Sequence, residues 1–490
     1  MIARLRASAP TDAAGPGARV GSGTQSRRWL LGLCLLILIG AAGCTDTLPN
    51  ARANIRAIAA RTHRLPEIVD SREQPLTPVQ RQELLEQIEV EGAASPELLA
   101  HLPLLEAIGG APLAIGNRVT LLQNGPATYA AMRQAILQAK QSINLETFIF
   151  ADDSVGRQFA ALLIDRRRHG VQVNVIYDAL GSLTTSQSLF DQMRAAHIAV
   201  VAFNPIRLLP HLPSHSLEHR DHRKLLVVDG RLAITGGVNL TSDYTHGFST
   251  SGRPRTGNGE NLFWRDTDVE IQGPAVAQCQ QLFVDTWFRQ TGIALPKAEY
   301  FPAIPNQGSD LVEVIGSTPD AAVSAIYLTL LVAIHNAEKN IWITDAYFVP
   351  DHQFVTDLRR TARRGVDVEL DLPHTTDHPI VLYASRSHYT SLLKSGVKIY
   401  ERTDALLHAK TATIDGIWST VGSANLDWWS FARDNEINVV VLSPSFARQM
   451  EMMFKADREQ SEQIQLVTWR HRGLWERAHE WFARLIQPLL

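Results

Sequence analysis

The spacing of apolar residues switches between helical and strand periods along this chain, and does so twice in one order. Ala127 to Lys140 reads as an amphipathic helix and Ile143 to Phe150 as a strand. A second helix, Phe159 to His169, is stopped by Gly170, and Val171 to Tyr177 then alternates as a strand. The order returns as helix Ala322 to Ala337, strand Asn340 to Phe348, helix Phe354 to Arg364, Gly365, and strand Val366 to Leu372. Ala135-Ile136-x-x-Ala139 matches Ala333-Ile334-x-x-Ala337, and Arg168-His169-Gly170-Val171 matches Arg363-Arg364-Gly365-Val366. A repeat this long is a duplication rather than a solenoid, whose units run about 20–50 residues. Alternating helices and strands predict an α/β fold in two tandem domains.

The halves are expected at residues 116–294 and 311–490, joined by a linker over 295–310 that contains Pro296, Pro302, Pro305 and Gly308. A helical extension precedes them at 45–115. Thr77-Pro78 and Ser95-Pro96 there supply an N-cap followed by proline at the first helical position. The last 22 residues mix Trp475, Trp481, Phe482, Leu485 and Ile486 with Arg470, Arg472, Arg477 and Arg484. They predict an amphipathic helix that either docks on the body or lies at a lipid interface.

Chemistry enters with a short pattern present once per half. His222, Lys224, Asp229, Gly236 and Asn239 recur at identical spacing as His408, Lys410, Asp415, Gly422 and Asn425. Each copy is expected on an apolar strand, with Leu225 to Val228 after Lys224 and Thr411 to Ile414 after Lys410, so His and Lys should share a strand face. One neutral imidazole can attack phosphorus while the other, protonated, gives its proton to the leaving alkoxide. The lysines, with Asn239, Asn425, Ser423 and Gly237 around the phosphate, would stabilise the pentacoordinate charge. Asp229 and Asp415 belong to the pattern, yet each precedes a glycine, which suits a carboxylate tying down a turn.

An imidazole used this way needs a partner on its other nitrogen. Matching Arg433-Asp434-Asn435-Glu436 to Arg265-Asp266-Thr267-Asp268 proposes Glu436 and Asp268. The first copy then carries about 18 extra residues within Tyr244 to Glu260, a loop-like insert.

Charge and cysteine content narrow the classes. A net charge of -3 on 490 residues argues against a dedicated nucleic-acid binder. Residues 1–44 read as an export segment: Arg27-Arg28, an apolar run from Trp29 to Ala42, then Gly43-Cys44. The run is short for a bilayer span. Ala41-Ala42-Gly43-Cys44 resembles a lipoprotein cleavage box, with Cys44 as the lipidated residue. Cys279, the one cysteine beyond that segment, is expected to be a buried hydrophobe. His211, His215, His219 and His222 lie close together but lack carboxylates at ligating spacing, so no metal site is expected.

These motifs resemble those of the phospholipase D superfamily. The similarity to its cardiolipin synthase branch lies in His222 to Leu240, Trp264-Arg265-Asp266-Thr267, Tyr347-Phe348-Val349-Pro350-Asp351 and Gly422-Ser423-Ala424-Asn425-Leu426-Asp427. The sequence departs from that branch at Asp268, where His is usual, and at Ala346, where Pro is usual. The resemblance covers roughly residues 116 to 490. It implies two α/β domains, each a sheet flanked by helices, packed as a pseudo-two-fold pair around one site. It further implies cofactor-free phosphatidyl transfer through phosphohistidine, with His222 attacking, phospholipid substrates and a membrane surface as partner. A phospholipase D that hydrolyses phospholipid is the rival reading, and a nuclease a more distant one.

Overall fold

A computed structural model describes residues 48–62, 65–92, 96–205, 218–245 and 263–487. The export segment with Cys44, His211, His215 and nearly all of the insert lie outside the described residues. Leu48–Leu490 behave as one compact unit.

The first half runs β1 (Leu113–Gln123), α1 (Asn124–Gln138), β2 (Ser142–Thr147), α2 (Ser154–Arg168), β3 (Gln172–Asp178), α3 (Gln187–Ala195), β4 (Ala199–Phe203), β5 (Leu225–Val228), β6 (Leu232–Gly236), β7 (Thr267–Gln272) and α4 (Val276–Thr291). The second half repeats it as β8 (Asp310–Ser317), α5 (Ala325–His335), β9 (Asn340–Thr344), α6 (His352–Arg363), β10 (Asp367–Pro373), α7 (Pro379–Leu393), β11 (Lys398–Arg402), β12 (Thr411–Ile414), β13 (Trp418–Gly422), β14 (Asp434–Leu442) and α8 (Pro444–Glu459). A last helix, α9, spans Leu474–Leu485.

Local chemistry explains why the same elements form twice. Asp153 accepts from the Val155 and Gly156 N–H groups at the start of α2, and Asp351 from Phe354 N–H at the start of α6. Gly170 and Gly365, at φ 91° and 98°, end the two helices in a left-handed turn that a β-carbon disfavours. Thr77 and Gln80 form a reciprocal capping box opening the helix Pro78–Gly92 of the extension.

Strand order in the first half is β4-β3-β2-β5-β6-β7-β1. In the second it is β11-β10-β9-β12-β13-β14-β8. Strand β1 joins them, pairing with β7 over Arg118–Gln123 and with β8 through Asn117↔Asp310 and Ala114↔Val312. The halves thus form one continuous sheet.

Alternation then gives each strand two jobs. In β5, Leu226 and Val228 pack into the first half's own core, while Leu225 and Val227 face a core common to both halves. That shared core also takes Cys279, Phe283 and Trp287 of α4, and Phe446, Met450 and Met453 of α8. Cys279 is fully buried, and burial pushes its thiol up to about 12. Filling this interface with side chains such as Phe283, each worth about 2–3 kcal/mol of burial, holds the halves at one fixed relation.

Candidate active site

The His–Lys segments do not lie on strands. Strands β5 and β12 begin only at Leu225 and Thr411. His222–Lys224 and His408–Lys410 are extended links between those strands and two-residue pairing segments, Arg220–Asp221 and Leu406–Leu407. Each segment pairs with the opposite half: Arg220–Asp221 with Asp434–Asn435, and Leu406–Leu407 with Trp264–Arg265. The crossing continues one residue further. His222 N–H donates to Asn435 O at 3.0 Å, and His408 N–H to Arg265 O at 2.8 Å.

Each imidazole therefore meets a carboxylate from the other half. His222 Nδ1 lies 2.9 Å from Glu436 Oε1, and His408 Nδ1 lies 2.7 Å from Asp266 Oδ2. Asp266, not Asp268, is the counterpart of Glu436. The sequence match slipped by two residues because it followed Arg-Asp rather than the strand. Asp268 pairs with Gly236 across β7–β6, as Asn438 pairs with Gly422 across β14–β13. Both reach back to a backbone N–H: Asp268 accepts from Val238 at 3.0 Å, Asn438 from Ala424 at 3.4 Å. Burial, then the Asp266 charge, push Asp268 up to about 8. The corrected register shortens the insert by two residues.

Ser423 and Gly237 also leave their expected role. Ser423 Oγ donates to Glu436 Oε2 and accepts from Ile437 N–H at 3.0 Å. At Gly237 a β-carbon would sit 2.1 Å from Asp266 Oδ1. Ser423 holds one orienting carboxylate and Gly237 makes room for the other.

Asp229 and Asp415 mark the far ends of their strands. Asp229 accepts from the N–H groups of Lys140, Gln141 and Ser142, and Asp415 from those of Glu338, Lys339 and Asn340. Seven residues of extended chain, roughly 23 Å, separate each from its histidine. They anchor the turns entering β2 and β9 and do not belong to the reacting group.

The two asparagines diverge. Asn239 Oδ1 accepts from Ile149 N–H, and its Nδ2 donates to Tyr244 Oη at 3.2 Å. Tyr244 Oη in turn lies 3.1 Å from His408 Nδ1. Among the described residues Asn425 Oδ1 is buried without a hydrogen-bond partner. Both asparagine side chains border the cavity, and Asn239 also props up Tyr244.

That cavity measures about 510 Å³. His222, His408, Asn239, Asn425, Trp264 and Tyr347 line it, with Trp429, Val349 and Val381 nearer its apolar wall. Phe148 packs edge-on against His222 at 5.0 Å between ring centroids, and Trp264 lies tilted against His408 at 4.9 Å. Lys224 Nζ donates to His222 O at 2.5 Å, and Lys410 Nζ to His408 O.

Burial sets the protonation states. It lowers His222, with Glu436 opposing and Lys224 adding to the drop, and it lowers His408 to about 4, with Lys410 contributing. Both imidazoles are neutral near pH 7 in the free enzyme. Burial also brings Lys224 down to about 7 against the pull of Glu436. Glu436 is buried too, yet His222, Lys224 and Ser423 hold it below the usual carboxylate range. With Nδ1 facing a carboxylate, each ring leaves Nε2 free for chemistry.

No site role follows from the sequence for Asp266, Tyr244, Trp264 or Phe148, although Trp264 and Asp266 belong to a motif of the family resemblance. A signal for Asp266 was present: aligning Val269 and Ile271 with Val439 and Val441 sets Asp266 opposite Glu436. Arg223, between the motif residues, was also missed. It is buried and donates to the carbonyls of Glu436 and Ser317 at 3.1 Å, stapling the first motif to the second half.

Two reciprocal His–carboxylate pairs, two buried lysines and one cavity on a duplicated α/β scaffold define a phospholipase D-type phosphodiester transferase. A profile described as "Cardiolipin synthase, PLD-like domain" matches residues 132–287 and 330–458. The cardiolipin synthase of Geobacillus thermodenitrificans is 34% identical over 81% of this chain and 77% of its own length. That of Halalkalibacterium halodurans is 32% identical over 79% of this chain and 75% of its own. A phosphatidylserine synthase from Haemophilus influenzae shares the fold, with a TM-score of 0.56 at 13% identity, over 78% of this chain and 98% of that one. The chain belongs to the cardiolipin synthase family, and is a phosphatidyltransferase of the phospholipase D superfamily.

Proposed function

We propose that the protein forms cardiolipin by moving a phosphatidyl group from phosphatidylglycerol to a hydroxyl of a second phospholipid. His222 Nε2 attacks phosphorus, and the bond to the departing glycerol oxygen breaks as His408 Nε2–H supplies its proton. The acceptor hydroxyl then gives its proton back to His408 while its oxygen attacks the phosphatidyl-histidine, freeing His222. For this, His408 must gain a proton when the anionic phosphate binds. Asp266 at 2.7 Å stabilises that imidazolium, and Lys224, Lys410 and the Nδ2 amide of Asn425 hold the phosphoryl oxygens.

The observation that carries the reading is the crossed pairing, Glu436 to His222 and Asp266 to His408, which makes two distant motifs one site. The test is incubation of the purified full chain with phosphatidylglycerol, with and without phosphatidylethanolamine. Cardiolipin is expected, and phosphatidic acid as the sole product would replace transfer with hydrolysis. Phosphatidyl-histidine trapped by denaturation at alkaline pH, where the P–N bond survives, should map to His222; recovery on His408 would reverse the roles.

The same reading puts the enzyme on the exported side of a membrane, with a lipid on Cys44. Mass spectrometry of the mature N-terminus decides this: a diacylglyceryl group on Cys44 supports it, and an unprocessed start overturns it. Among the described residues no helix is long and apolar enough to cross a membrane.

A further inference from the structure

Helix α9 is amphipathic in the wrong sense for a helix that only packs. A docked helix normally turns its apolar stripe to the body. Here the inward stripe is His479, Glu480 and Ala483, continued past the helix end by Ile486 and Gln487. Glu480 and Ala483 are buried, and Arg472 Nε donates to Glu480 Oε1 at 2.7 Å. The outward stripe is Leu474, Trp475, Ala478, Trp481, Phe482 and Leu485, at positions i, i+1, i+4, i+7, i+8 and i+11. Its large members are exposed: Trp475 by 76% and Trp481 by 65%. An apolar stripe of this size left open on a helix marks an interaction surface.

From this surface we infer that the outward face of α9 docks on an anionic phospholipid bilayer and seats the mouth of the cavity against it. Charge selects the occupant. Arg477 and Arg484 are seven residues apart, two turns along one flank of the stripe, where guanidinium groups reach phosphates once the tryptophans enter the headgroup layer. Glu476 and His479 fall towards the other side.

Position ties the face to the site. Gln487 Nε2 donates to Pro350 O at 2.8 Å, and Ala483 packs with Val349 and Ala384. The His479 ring stacks on Tyr383 at 4.9 Å. Val349 and Val381, on the same wall, line the cavity. The helix is clamped to the back of that wall. Substrate delivery rests on the phosphatidyl-transfer reading; docking does not.

The test uses the full chain in phosphatidylglycerol vesicles with brominated acyl chains. Bromine should quench a tryptophan component that is missing from the Trp475→Phe/Trp481→Phe variant. In the Trp475→Glu/Trp481→Glu variant, turnover on vesicles should fall at least tenfold, while turnover on monomeric short-chain phosphatidylglycerol stays within twofold. Equal quenching in wild type and the Phe variant overturns docking, as does a self-dimer that covers the tryptophans. Equal loss on both substrate forms shows a structural role and overturns it too. If wild type turns over neither form, the transfer reading fails, and quenching still decides the docking.

Discussion

Replacing Asp266 by Asn removes one charge and keeps the shape of the side chain. The carboxylate lies 2.7 Å from His408 Nδ1, and both side chains are buried. At an effective dielectric of about 20, an imidazolium and a carboxylate at that distance attract by about 6 kcal/mol. Desolvation offsets part of this, and breaking such a pair by removing one partner costs about 3–5 kcal/mol. In this free enzyme His408 is neutral, so the loss falls on the state in which it carries the transferred proton. We expect kcat to drop by about 10²–10⁴, in line with removal of the orienting carboxylate from a catalytic histidine, and KM to move little. Asp268→Asn is the control. With its carboxyl pushed up to about 8, Asp268 is mostly protonated at pH 7, so Asn is nearly isoelectronic with it and still accepts from Val238 N–H. Its kcat should stay within about threefold, less than 0.7 kcal/mol. Cardiolipin formed per minute from short-chain phosphatidylglycerol reads both variants. Equal damage from the two, or an Asp266→Asn enzyme at wild-type rate, would refute the assignment.

Ser423→Ala removes the hydroxyl that holds Glu436, and kcat should fall about 10–100-fold with KM and the melting temperature held; a fall in KM-type binding instead would return Ser423 to the phosphate. Asp229→Ala strips an acceptor from three backbone N–H groups, and should cost about 3 kcal/mol in urea unfolding while turnover per folded molecule persists. Lost turnover at unchanged stability would make Asp229 catalytic after all. Lys224, lowered to about 7 by burial, is a cation below that pH and neutral above it. kcat/KM for anionic lipid, which already falls with pH because His408 must take up a proton, should therefore fall more steeply above about pH 7, and a slope unchanged to pH 9 would exclude Lys224 as the phosphate-binding charge.

Much of the scaffold was legible because strands and helices leave local periods. The predicted helices around Phe159 and Phe354, their glycine stops and the strands after them all reappear within a few residues. Side-chain partnerships were less legible, since they depend on what faces a residue across a gap in sequence. Asp268 looked like the match to Glu436 because Arg-Asp occurs before both; Asp266 faces His408 because the strand pairing, not the dipeptide, sets the register. Ser423 looked like a phosphate ligand by its place after Gly422, and its hydroxyl points instead at Glu436. Trp475 and Trp481 signalled an amphipathic helix, but not which face would be left open.

The sequence by itself determined the reaction class. Two histidines, two lysines and their spacing are covalent facts, and a duplicated α/β pattern follows from local propensity and alternation. Only the tertiary structure decided who works with whom. Each half contributes its own run of strands to the common sheet, but the segments before His222 and His408 find their backbone partners in the opposite half. That exchange brings Glu436 to His222 and Asp266 to His408, and neither half can complete a site alone. Its cause is the shared core: strands β5 to β7 and β13 to β14 turn apolar residues to it, among them Val227, Val269, Val421 and Val439. Burying that face fixes the angle at which the crossed pairs form.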